Sequence, residues 1–442
     1  MTTIKKSNML IAAFFVLILI SCATNGTAVK TTTVSPQKFE LDMYANAPQD
    51  VREAITRCDM LIKQAKYASA LRALSIDEDL GKDRDYIIYK WTEVITNWFS
   101  FSMMHTMFDI KDFNSEEELY AYRRDISYGN KEMSFNLTID YSGPEGRIDE
   151  YEKVFGETPR TNLARAQYYF DVSQRYKDQW LKSYDELLSL AYENYRKAIA
   201  GNFYDLRALE NFAQCALLTS HFQEAYEGYK QLVAYKPDFG NYWYNYALSS
   251  MYIERYNEAI DYCTQAIQYP EENEFYQMDA YLLLSNIYLH MGDTKKAEET
   301  MIKLTHQYPE KPYALQYYGQ FYYKYGKTTA DIEKAIQAFN DCIRISWKQF
   351  GRVNEIADIT RYLVSAGDLV HSHAILQNAK ALVTSNNEVS GIVYYFDAQV
   401  YAMEGNKAEA RKTAEQAQFY FKEANNIDAL NELSNFIKSL DQ

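Results

Sequence analysis

Several groups of chemically able residues stand out. They are His371 and His373, the scattered Cys58, Cys215, Cys263 and Cys342, the cluster Met103, Met104 and Met107, and the acids Asp77-Glu78-Asp79 and Glu116 to Glu118. Each set has a chemistry to offer, and each is poorly placed for it. Ligands sharing a metal on one helix need a spacing of three or four, so two histidines two apart point to different sides and predict no metal site. The cysteines show no C-x-x-C and no histidine at zinc-finger spacing. Four would allow three pairings in an oxidising compartment, yet each sits on an apolar helix face where small residues belong, which reads as buried free thiols. The methionines read as adaptable core packing and the acidic runs as solvated loop charge. No phosphate-binding glycine loop, nucleophile elbow, H-E-x-x-H, dinucleotide fingerprint or EF-hand loop is present. No catalytic residue and no cofactor is expected, and an enzyme of unrecognised type would be confined to residues 77–158.

Cys22 is the exception. Lys5 and Lys6 precede an unbroken apolar run of 12 residues, Met9 to Ile20, which is short of the roughly 20 that span a bilayer. Leu19-Ile20-Ser21-Cys22 follows directly and resembles the bacterial lipobox. That resemblance implies a signal peptide over residues 1–21, with Cys22 acylated on its thiol and, after cleavage, on its amine. The competing reading is a signal peptide with an incidental cysteine. Two or more acyl chains meet the requirement for stable anchoring. Residues 22–38 then form a lipidated tether: Ala23 to Lys38 holds five threonines and no aromatic residue, and 16 residues reach at most about 55 Å. The expected location is the bacterial cell envelope, with membrane contact through the lipid anchor only. Ala23 is not an acidic retention residue, which favours the outer membrane or periplasmic face over the cell surface.

The 442 residues are 47% hydrophobic and 15% aromatic, with 41 Tyr against 16 Gly and 8 Pro, so the chain is core-forming and not disordered. A mean hydropathy of -0.44 excludes a polytopic membrane protein. Single cores stop growing near roughly 250 to 300 residues, so two domains or a repeat array are expected. The net charge is -14. Such a surface repels nucleic acid and favours cationic partners.

A repeat organises the second half. Gly240 to Pro270 reads GNYWYNYALSSMYIERYNEAIDYCTQAIQYP. With Gly240 as the first position, Trp243 falls at position 4, Tyr246 at 7, Ala247 at 8, Tyr256 at 17, Ala259 at 20, Ala266 at 27 and Pro270 at 31. This segment closely resembles a tetratricopeptide repeat (TPR), and its flanks align in register. Position-20 residues recur at Ala191, Ala225, Ala259, Ala297, Ala335, Ser372 and Ala410, separated by 34, 34, 38, 38, 37 and 38. Small residues are needed there because two helices joined by a short turn pack closely only where the crossing lacks bulk. The extra residues of the later units are expected between helices, at Glu271 to Glu274 and Lys327 to Asp331. Gly292, Gly326, Gly367 and Gly405 are expected to end first helices in the left-handed conformation. The resemblance implies an all-α fold, a right-handed superhelix of antiparallel helix pairs over residues 159–424. Ile427, Leu430, Leu433, Phe436, Ile437 and Leu440 predict an amphipathic capping helix within 425–442.

Residues 39–158 are expected to be an irregular, mainly helical region. Val51 to Leu74 reads as a lone TPR-like hairpin, Tyr86 to Phe108 as a helix buried on most sides, and Phe113 to Gly156 as a loop-rich excursion carrying a two-stranded ribbon.

In the TPR family the first helix of each pair lines the concave face. Carried onto this chain, that face places Asn241, Tyr244, Leu248, Met251, Tyr252, Asn286, Tyr313, Gln316, Gln320, Tyr323, Arg361 and Tyr395 as candidate partner-binding residues. The family's carboxylate clamp needs Lys or Arg at position 5, where Tyr244, Leu282 and Gln316 stand, so that activity is not expected despite Asn286. The leading expectation is a membrane-tethered scaffold that binds an envelope protein or peptide. The alternative is a small-ligand or solute-binding accessory lipoprotein of a transport system.

Overall fold

A computed structural model describes residues 43–74, 83–98, 107–127, 134, 136–140, 143–269, 274–351 and 354–441. The export signal, Cys22, the tether, the acids 77–79, Met103 and Met104 lie outside the described residues, as does the side chain of Met107. Among the described residues are twenty α-helices and two short strands. None of these helices is long and apolar enough to cross a membrane.

Helices α1 (Gln49–Lys63) and α2 (Tyr67–Ala73) form the expected hairpin, with Cys58, Tyr67 and Ala70 buried at its crossing. Helix α3 (Arg84–Trp98) is buried nearly all round, including Lys90, whose ammonium is held by Asp59 at 2.7 Å and Glu93 at 3.0 Å. The apolar run does not stay helical as far as Phe108. Met107–Ile110 is instead strand β1, paired antiparallel with β2 (Leu137–Asp140), Ile110 opposite Leu137. The excursion after it is more helical than its composition predicts. Glu116 to Glu118 form the first turn of α4 (Glu116–Ser127), where the helix dipole favours negative charge. Gly143-Pro144-Glu145-Gly146 opens α5 (Gly143–Phe155), with Pro144 where a missing N–H costs nothing.

From residue 159 on, helices run in pairs. The first pair is α6 (Pro159–Tyr176) and α7 (Tyr184–Ala200), joined by the extended turn expected near Asp178. The capping box of Thr158 and Thr161 starts α6, and the Ser183 hydroxyl starts α7. Then come α8 (Leu206–Leu218) with α9 (Phe222–Tyr235), α10 (Gly240–Tyr252) with α11 (Tyr256–Gln268), and α12 (Glu274–His290) with α13 (Thr294–Gln307). The last are α14 (Pro312–Tyr325) with α15 (Thr329–Phe350), α16 (Asn354–Ser365) with α17 (Leu369–Leu382), and α18 (Asn387–Met403) with α19 (Lys407–Glu423). Helix α20 (Ile427–Ser439) closes the stack, with Leu433 fully buried. All seven position-20 residues are fully buried. The Ser285 hydroxyl even donates across the crossing to the Ala297 carbonyl at 3.2 Å.

Two expectations about the repeats need correcting. The extra residues of the later units lengthen helices as well as loops. Helix α12 starts seven residues before Tyr281, whereas α10 starts three before the equivalent Trp243. Four residues are close to one helical turn, so the addition leaves the packing face unrotated. Gly326 is not left-handed, with φ -63° and ψ 146°. A β-carbon there would stand 2.4 Å from Asp331 Cβ and from the Tyr322 carbonyl, so close approach explains this glycine. Gly292, Gly367 and Gly405 do adopt φ near 78°, and Ser220 and Glu254 take the same role in the two preceding turns.

The core is a succession of adjoining apolar clusters. One runs from Met43 to Tyr246 without a break at residue 158, and the others follow along the pairs to Leu433.

Candidate binding surface on the first helices

Position 5 of α10 is Tyr244, half-buried, with its ring 6.5 Å from that of Tyr276 on α12. One turn along α12, Asp279 accepts from the Tyr313 hydroxyl of α14 at 2.5 Å. Tyr313 and Tyr317, four apart and so on one helix face, set their rings edge to face at 4.7 Å, and Phe275 meets Tyr313 at 5.8 Å. Three successive first helices thus present a run of tyrosines around one carboxylate. Burial raises the pKa of Asp279, and the Tyr313 hydrogen bond only partly offsets it. Burial likewise raises Asp358 on α16, where Arg361 at 3.4 Å opposes the shift.

The other predicted face residues separate into groups. Leu248 is not on the face. It is buried with Ala247, Cys263, Leu283 and Ile287, because α10 packs directly on α12 and position 9 turns into that contact. Asn241 is half-buried, and its carbonyl accepts from Asn245 at 3.0 Å. Met251 packs beside the Leu248 cluster, while Tyr252, 40% exposed, stacks on Phe222 at 4.2 Å. Asn286 is exposed; Gln316 and Gln320 are half-buried near Tyr313 and Tyr317 on α14. Tyr323 donates to Asp368 at 2.8 Å and meets Tyr362 edge to face, tying two units together. Tyr395 lies apart, with Phe436 and Glu432 of α20 beside it. Tyr276 and Tyr317 escaped the sequence reading; the four-residue step from Tyr313 to Tyr317 was the available signal.

Other tyrosines have a structural duty. Tyr226 donates to Glu258 at 2.7 Å, Tyr308 to Gln277 at 2.8 Å, and Tyr242 to Glu210, over sequence separations of 32, 31 and 32. The Tyr226 and Tyr242 hydroxyls stitch consecutive units, whereas that of Tyr308, at the end of α13, closes the pair α12 and α13.

The groups with catalytic or metal-binding potential are otherwise engaged. Cys58, Cys215, Cys263 and Cys342 are free and buried, and burial pushes the Cys58 thiol up to about 12 and the others higher. His371 bonds Asp368 at 2.6 Å. His373 Nδ1 lies 2.5 Å from the fully buried Asp397, which also takes Lys380, while Nε2 is 3.2 Å from Glu404 without hydrogen-bond alignment. No group of three or more His, Cys, Asp or Glu among the described residues is arranged to hold a metal. A partly open cavity between α3, α6, α7 and α8, lined by Tyr89, Gln167, Tyr195 and Asn211, measures about 40 Å³. That is room for a few waters, against the roughly 300 Å³ or more of a small-molecule pocket.

Residues 254–321, the stretch carrying Tyr276, Asp279, Tyr313 and Tyr317, match the family model described as tetratricopeptide repeat. No curated protein matches the chain. Among solved structures, a tetratricopeptide repeat protein from Parabacteroides merdae is 12% identical with a TM-score of 0.33, over 74% of this chain and 98% of its own. Yeast Tom70 is 14% identical with a TM-score of 0.40, over 88% and 82%. MamA is 22% identical with a TM-score of 0.31, over 38% and 93%. The fold is all-α, a tandem array of tetratricopeptide-type helix pairs.

Proposed function

We propose that this chain is a non-catalytic scaffold that binds an extended protein or peptide segment along α10, α12 and α14, and that acylated Cys22 holds it in the bacterial cell envelope. The observation that carries the binding half is the adjoining run of half-buried Tyr244, Tyr276, Tyr313 and Tyr317 from three successive first helices. Tyrosine covers apolar area at low entropy cost and keeps a hydrogen-bonding tip, which suits a peptide backbone. For the solute-binding alternative, the cavity of about 40 Å³ beside Gln167 and Asn211 is too small, and the larger space of about 510 Å³ beside Glu388 and Asn425 is open to solvent. The anchoring half rests on the order of apolar run, Ser21 and Cys22.

Affinity capture from envelope extract with wild type and with Tyr244→Ala plus Tyr317→Ala tests the surface, after circular dichroism confirms that the variant folds. Loss of a central aromatic anchor costs at least about 2 kcal/mol, so the captured partner should be depleted roughly thirtyfold. An identical captured set would rule the surface out. In parallel, Cys22→Ala should abolish labelled palmitate incorporation; label that survives the substitution would refute the anchor.

A further inference from the structure

The tyrosine surface carries one charge that its surroundings leave unbalanced. Asp279 receives the Tyr313 hydroxyl at 2.5 Å, and the hydroxyls of Tyr244 and Tyr317 stand near enough to feel its charge. Among the described residues no Lys, Arg or His forms an ion pair with it. The neighbouring tyrosine–carboxylate stitch is built otherwise. At Tyr226 and Glu258, Arg255 donates to the same hydroxyl at 2.9 Å and lies 3.6 Å from the carboxylate. An ionised carboxylate among rings without a counter-charge is costly, and burial accordingly pushes Asp279 toward its protonated form. A cation placed there would remove that cost, and tyrosine faces add attraction of their own. One unit along, Asp358 of α16 also acts on Tyr317, but Arg361 pairs with it at 3.4 Å, so Asp279 is the carboxylate there that lacks an ion-pair partner among the described residues. The whole chain at -14 favours the same sign of partner.

We propose that Asp279, framed by Tyr244, Tyr276, Tyr313 and Tyr317, receives a lysine or arginine side chain of the bound segment. The partner is thus a basic peptide. This rests on the binding surface inferred above and specifies its ligand.

Asp279 on α12 and Tyr313 on α14 belong to consecutive units, so a purely structural stitch is the rival role. The two roles predict opposite effects of Asp279→Asn, which keeps the shape and the acceptor oxygen. If the carboxylate serves a ligand, its removal leaves the melting temperature unchanged or higher; if it serves as a stitch, the melting temperature falls. The binding probe is a positional-scanning peptide array, read with wild type, Asp279→Asn and the Tyr244→Ala plus Tyr317→Ala variant. Wild type should select Lys or Arg at one position at least, and the best basic peptide should bind Asp279→Asn about tenfold more weakly. Peptides that bind wild type without basic preference, or a preference that survives Asp279→Asn, would overturn the inference while leaving the surface intact. A fall in melting temperature together with loss of all peptide binding would also overturn it, in favour of the stitch. If wild type binds no peptide of any composition, the surface reading falls and this inference with it.

Discussion

Asp279 and Asp397 show how differently one residue type is used within a few units of the array. Asp397 is fully buried, and three side chains converge on it: His373 at 2.5 Å, Gln377 at 3.4 Å and Lys380. Its removal strands the Lys380 ammonium, only 11% exposed and 4.3 Å from the ring of Tyr394, without its carboxylate. Asp397→Ala should therefore cost about 3 to 5 kcal/mol, read as the urea midpoint, and a loss below about 1 kcal/mol would contradict the buried pairing. Asp279 carries the reverse sign. The groups facing it are Tyr244, Tyr313 and Tyr317; beyond Tyr317 stands Asp358, whose charge Arg361 already pairs at 3.4 Å. Its folded-state pKa lies above the ordinary 3.8, so ionisation weakens the fold at neutral pH, and that penalty fades as pH falls through the raised value toward 3.8. The stability advantage of Asp279→Asn over wild type should thus be widest at pH 7 and close on acidification. None of this was legible from residue types. Periodicity gives the face a residue occupies, but whether a counter-charge stands opposite depends on neighbours some thirty positions away.

The helix pairs were legible because their crossings admit so few side chains. Ala247, Ala259, Ser285 and Ala297 had to be small, and all four are buried where two helices meet. Gly319, at the equivalent place in α14, is the most demanding case: a β-carbon there would stand 2.5 Å from Phe339 Cε1 and 3.1 Å from the Ala335 carbonyl. Gly319→Ala should overpack the crossing of α14 with α15 and cost about 1 to 3 kcal/mol. Hydrogen exchange would locate the damage in those two helices, and full protection there would mean that the aromatic ring of Phe339 can step aside. What the sequence concealed at this scale were helix ends. Added residues at Glu274 and Thr329 look like loop but prolong α12 and α15, because an addition near one turn preserves the face. The glycine and proline of Gly143-Pro144 look like a turn, yet both are tolerated in the first turn of α5. Leu248 shows the third limit. Its position in the repeat is that of a face residue, but the close approach of α10 and α12 buries it.

Across the whole molecule the cores adjoin in sequence order, from the cluster around α3 and α6 to that of α18, α19 and α20. Each pair relies on the next for burial, so stability is a sum of local and nearest-neighbour contributions and not one cooperative total. The last pair relies on α20. That helix seats Leu433 against Ala398, Ala414, Ala417 and Phe421, while Asn426 caps its start and Phe436 meets Tyr395. Deleting residues 425–442 would expose that cluster, and Leu433 alone accounts for roughly 2 to 5 kcal/mol by the usual cost of losing a buried leucine. The loss should stay near the end where it is made. Exchange protection is expected to fall first in α18 and α19, less in α16 and α17, and not at all in α6 to α9, whose core is the cluster reaching back to Met43. The binding surface on α10 to α14 lies between these limits, so the truncated chain should retain its peptide while melting in two steps. A single sharp transition at lower temperature, with protection lost evenly from α6 to α19, would show instead that the array unfolds as one body and that its units are coupled beyond their neighbours.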